Sequence, residues 1–140
     1  MSRVLLLAAD KPLPFCDYRE ARSKTSGGFT VTTLAGFCIA PHEYYRDAVA
    51  ALNFSMKPCQ YELAIENCEE DLAALKDYLA QHVVPGEEVE LWNLWIGNDR
   101  EKLQSFRGKF SDFDGDTLAQ FLNPPSAAGG VGCCRMSITM

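Results

Sequence analysis

Apolar residues recur at every second position in some stretches of the chain and at every third or fourth in others, and the two periods predict strands and helices. Residues 3–9, opening at Arg3 and running Val4-Leu5-Leu6-Leu7-Ala8-Ala9, form an unbroken apolar run of strand length, as expected of a strand covered on both faces. Phe29 to Leu34 is rich in β-branched and aromatic residues and predicts a second strand, continuing through 37–39 after a break at Gly36. Pro41 suits the first turn of a helix, and Tyr45, Ala48, Val49 and Leu52 then fall at i, i+3, i+4 and i+7, predicting about three helical turns. Tyr61, Leu63 and Ile65 alternate with Glu62, Ala64 and Glu66, which predicts a strand with one apolar and one polar face.

Asn67, with Glu70 three residues on, makes a capping box for a helix whose buried stripe is Leu72, Leu75, Leu79 and Val83. Glu69, Glu70 and Asp71 in its first turn favour the positive end of the helix dipole. Val89 to Ile96 predicts a central strand, and Leu103 to Phe113 fits either period. Asp116 is placed to cap a short helix over 117–122, and residues 134–140 alternate as a last, half-buried strand. Residues 10–28 are a long connection for a compact domain, unless a short helix lies around 18–22, and 123–132 is a loop.

This order predicts an α+β (mixed α/β) fold for a single domain over residues 1–140. A two-layer sandwich is expected. It would hold a mixed sheet of about four to six strands, two main helices on one face, a short third helix near the C-terminus, and a partly open opposite face. A mainly parallel α/β sheet is the alternative.

A content of 47% hydrophobic and 23% charged residues excludes disorder. The first apolar run stops at Asp10, too short for a signal peptide, and the longest uncharged stretch is interrupted by Pro124-Pro125. A cytoplasmic protein with no membrane partner is expected, its six cysteines reduced.

The net charge is −6, but residues 60–99 alone hold ten acids against Lys76, a balance of −9. That surface repels phosphate backbones and disfavours a nucleic-acid partner. With helices over the face of Tyr61, Leu63 and Ile65, Glu62 and Glu66 fall on the opposite face, joined by Glu88 and Glu90 from the next strand. Like charges across strands are relieved by a cationic partner. Trp92, if exposed beside Glu88 and Glu90, anchors such an interface. The expected function is therefore a non-enzymatic binding module presenting the acidic 60–99 unit to a basic protein, as an inhibitor or immunity protein does.

A small-molecule or thiol-redox protein is the rival reading. Lys11, Arg19, Arg22 and Lys24 would make the 10–28 loop a lid over an anionic ligand, and the adjacent Cys133 and Cys134 offer thiol chemistry. Ser23 to Gly28 has phosphate-loop composition, but its glycines follow the lysine instead of preceding it. Asp112 to Asp116 lacks the glycine position and closing glutamate of a calcium loop. Cys68 sits where the helix dipole and the three following carboxylates oppose each other, and His82 is placed to cap its helix. No cysteine or histidine spacing fits a metal, so no metal, cofactor or catalytic residue is assigned.

Overall fold

The apolar run at the start of the chain becomes the middle strand of a seven-stranded sheet. The computed structural model describes residues 2–97, 102–124 and 132–140. In chain order the strands are β1 (Ser2–Ala9), β2 (Cys16–Asp17), β3 (Glu20–Ser26), β4 (Phe29–Ala35) and β5 (Cys38–Pro41), followed by β6 (Cys59–Ala64), β7 (Glu88–Ile96), β8 (Leu103–Lys109) and β9 (Cys133–Thr139). The helices are α1 (Arg46–Ala50), α2 (Glu69–His82) and α3 (Gly115–Leu122).

The sheet order is β2-β5-β6-β1-β7-β9-β8, and among the described residues β3 and β4 form a separate two-stranded sheet. All neighbours are antiparallel except β8 and β9. The fold is therefore mixed α+β, with more strands than expected and without the mainly parallel sheet of the alternative.

β1 is apolar at every position from Val4 to Ala9 because both of its faces are covered. Leu5, Leu7 and Ala9 pack with Leu75, Tyr78 and Leu79 of α2 and with Leu118, Phe121 and Leu122 of α3. Val4, Leu6 and Ala8 join Trp92, Leu94 and Cys133 in a second cluster beneath Val49, Phe54 and Met56. The expected open face is thus closed by α1 and the chain that follows it. The physical reason is the stripe of Tyr45, Val49 and Leu52, which has to be buried somewhere, while β1 and β7 are apolar on both sides. Only α2 and α3 share a face, and α1 is a short helix ending near Asn53, which has φ 56°.

The 10–28 connection holds no helix. Gly27 and Gly28, at φ 57° and 83°, make a two-residue turn in the left-handed region that glycine adopts at no steric cost. That turn sets β3 against β4 in register from Ser26↔Phe29 to Glu20↔Ala35. At the base of the hairpin, Gly36 has φ 145°, and a Cβ there would lie 2.8 Å from the carbonyl oxygen of Tyr18. The two chains run so close there that Tyr18 N donates to the Phe37 carbonyl at 2.9 Å. Beyond this base, residues 20–34 are almost entirely exposed, so the hairpin is an arm.

Two helix starts differ from expectation. α2 begins after Cys68 instead of Asn67, with no side-chain cap, and α3 is capped by Asp114, whose carboxylate accepts Thr117 N at 3.0 Å. The ambiguous 103–113 segment is strand β8 followed by a 3₁₀ turn, Phe110–Asp112. Most of the 123–132 loop lies outside the described residues. Among the described residues, no helix is long and apolar enough to cross a membrane.

Candidate functional site

The acids at the start of α2 are not equivalent. Asp71 turns inward, with only 3% of its side chain exposed, and a buried carboxylate is tolerated only with partners. It accepts the backbone N–H of Glu66 at 2.8 Å and two bonds from the guanidinium of Arg22, at 2.8 and 3.4 Å. Burial alone would raise the Asp71 carboxyl, but the Arg22 bonds and the Glu66 N–H outweigh it and hold it below its ordinary value. Arg22 Nη1 also donates to Glu66 Oε2 at 2.8 Å, and Nη2 lies 4.0 Å from Glu70. One guanidinium from the arm is shared by four carboxylates, since Glu20 of β3 also lies 3.5 Å from Arg22 Nε. Glu69 and Glu70 remain facing water, and 81% of the Glu70 side chain is exposed. Arg22, Glu66, Cys68, Glu69 and Glu70 line a shallow concavity of about 430 Å³.

Of the expected interface residues, Glu66 lies at this concavity and the others are placed apart from it. Glu66 lies beyond the end of β6 and turns toward Arg22. Glu62 is half-buried and separated from Glu90 by β1, since Glu62 pairs with Leu6 and Glu90 with Ala8. Glu88 is half-buried at the start of β7. Glu90 is buried, and its carboxylate accepts Lys57 N at 2.9 Å and Trp92 Nε1 at 3.3 Å. Trp92 is fully buried against Phe54, with the Arg135 guanidinium 5.4 Å from its ring centre. Glu62, Glu66, Glu88, Glu90 and Trp92 therefore do not form one exposed patch, and the last two serve the interior.

Most of the basic residues of the 10–28 segment are already engaged. Lys11 pairs with Glu87, Arg22 with the α2 acids, and Arg19 grips Asp17 through two bonds of 2.9 and 2.8 Å. Those Arg19 bonds hold the Asp17 carboxyl at about 2. Lys24 lies exposed on β3. Cys133 and Cys134, being adjacent on a strand, enter opposite clusters. Cys133 Sγ accepts Trp95 N at 3.4 Å, and burial pushes the Cys134 thiol up to about 12. Neither cysteine lines a concavity described here with the 10–28 segment. No group of three metal-ligating side chains occurs among the described residues.

Three features escaped the sequence reading. The arm exposes Phe29 at 78%, Val31 at 61% and Leu34 at 64%. The signal was present, because Phe29 to Ala35 carries no charge directly after Gly27-Gly28. His42 is buried at 8% exposure with no hydrogen-bond partner on either ring nitrogen. Pro14, Cys16, Tyr18, Tyr78 and His82 contribute to a concavity of about 450 Å³ between the 10–28 segment and α2. Comparison with protein-family models, with curated proteins and with solved structures finds no match.

Proposed function

We propose that this protein is a small, cytoplasmic, non-enzymatic binding module that presents the acids of its 60–99 stretch to a basic protein partner, in the manner of an inhibitor or immunity protein. The observation that carries the reading is the excess of acid at the start of α2. Glu66, Glu70 and Asp71 draw on the same cation, Arg22, which Glu20 also approaches, and Glu69 and Glu70 stay in water. Unspent negative charge of this kind steers a basic partner and sets its orientation more than it adds affinity. The same acids disfavour nucleic acid. Cys16, Cys38, Cys59, Cys68 and Cys134 as free thiols fit a reducing compartment.

A salt titration tests the steering. A basic partner captured on the immobilised protein from its own cell extract should be released as sodium chloride rises past the physiological range, because exposed charges are screened there within about 8 Å. Capture unchanged by salt counts against the reading.

The 450 Å³ concavity beside Tyr78 favours a second reading, a small-molecule site formed by the 10–28 segment without the paired cysteines. A ligand there should shift the amide resonances of Cys16 and Tyr78 together, and a metabolite screen that moves neither would remove it.

A further inference from the structure

The arm leaves the outer edges of both its strands without a pairing strand among the described residues, and the two edges differ in kind. β3 carries Glu20, Arg22 and Lys24, and charges along an edge discourage another strand from pairing with it. β4 reads Phe29-Thr-Val-Thr-Thr-Leu-Ala35, has no charge in its seven residues, and is exposed from Phe29 to Leu34. Thr30, Val31, Thr32 and Thr33 are all β-branched and favour extended backbone. An exposed, uncharged edge strand of this length is what proteins ordinarily avoid unless something covers it.

The hairpin register fixes which backbone groups are unused. Ser26 and Phe29 close the two-residue turn as a hydrogen-bonded pair, so inward bonding continues at Val31 and Thr33. The N–H and C=O groups of Thr30, Thr32 and Leu34 are left directed outward.

We propose that β4 is the pairing edge for a second copy of this chain, with the two β4 strands antiparallel about a two-fold axis at Thr32. In that register Thr32 faces its own copy, Thr30 faces Leu34, Val31 faces Thr33 and Phe29 faces Ala35. Every outward-directed group then meets an outward-directed group. The two hairpins merge into a four-stranded ribbon on which Phe29 and Val31 of both copies share one face. A two-stranded hairpin alone is marginal in water, and four strands relieve that.

Charge identifies the occupant. Two molecules of net charge −6 repel over most of their surfaces, but β4 carries no charge of its own, so copies can approach along it without opposing like charges. An uncharged strand places no like charges opposite itself when it pairs with its own copy. A basic foreign strand would instead find no acid on β4 and would meet the exposed Lys24 on the neighbouring strand. The pairing uses neither Glu69 nor Glu70, so it stands or falls separately from the acidic binding surface.

Sedimentation equilibrium of the full chain should give twice the 15.5 kDa chain mass. Thr32→Lys sets two ammonium groups on the axis and should return the 15.5 kDa species with an unchanged circular dichroism spectrum. Directly opposed hydrogen-bonded residues lie with Cα atoms about 5.5 Å apart, within disulfide reach. Thr32→Cys should therefore cross-link to dimer under mild oxidation far more completely than Thr30→Cys or the unaltered chain with its native thiols. A monomeric wild type, or a dimer that survives Thr32→Lys and cross-links equally through both cysteine positions, overturns the proposal.

Discussion

Asp71 and Arg22 are far apart in the chain and decide how the arm meets the body. Removing one member of a buried pair leaves the other group with its desolvation cost and without its partner. Arg22 is partly exposed and keeps Glu66 as a partner, so Asp71→Ala should lower stability by about 2 kcal/mol in urea unfolding, and a loss below about 0.5 kcal/mol would show that the pair is idle. The pH dependence follows from the sign of the shift. The Asp71 carboxyl is held below its unfolded value, so its contribution is present at neutral pH and is lost as the pH falls through the carboxylate range below about 4. His42 works in the opposite region. Burial lowers its pKa from 6.5, with Glu62 opposing and Arg46 assisting, so the unfolded chain takes up the proton first. Stability should be full above pH 6.5 and decline as the pH falls below it. His42→Phe keeps a flat ring in the same place and removes two unpartnered nitrogens. It should abolish that decline and raise stability at neutral pH by about 1 kcal/mol. An unchanged pH profile in thermal melts of His42→Phe would rule the account out.

At the scale of elements, the arm depends on one glycine at its base. A side chain at Gly36 would strike the Tyr18 carbonyl, and its φ of 145° is strained for any L residue. Gly36→Ala should destabilise the domain by more than about 1 kcal/mol and speed proteolysis within 20–35, whereas substitutions at Thr25 or Thr30 should do neither. The elements legible in the sequence were those whose signal is local. β1, β6, β7 and β9 show their apolar period directly, and so does the Leu75–Leu79–Val83 stripe of α2. The hairpin was half legible: β4 has strand composition, but polar β3 is a strand only because the Gly27-Gly28 turn brings it alongside. Which face α1 covers was not legible, since a stripe says that a helix is buried and not against what. The same limit applied to charge. A count over 60–99 registers ten acids, but not that Asp71 is sealed against Arg22 or that Glu90 is capped by Lys57 N and Trp92, because those partners come from distant parts of the chain.

For the whole molecule, pairing within the fold redistributes the net charge of −6. Lys11, Arg22 and Lys57 neutralise Glu87, Asp71 and Asp10, and the acids left outward at the start of α2 are Glu69 and Glu70. Those two are the cleanest probes of the proposed function, because reversing Glu66 would also disturb the Arg22 anchor. The double variant Glu69→Lys, Glu70→Lys should keep the wild-type circular dichroism spectrum with a modest fall in melting temperature, because both acids favour the α2 dipole and Glu70 lies 4.0 Å from Arg22. The most direct measurement compares it with wild type as bait in quantitative mass spectrometry of proteins captured from the native cell extract at low ionic strength. A basic protein enriched by wild type and lost from the variant is the predicted result. Identical capture by the two baits would contradict an acid-directed binding function.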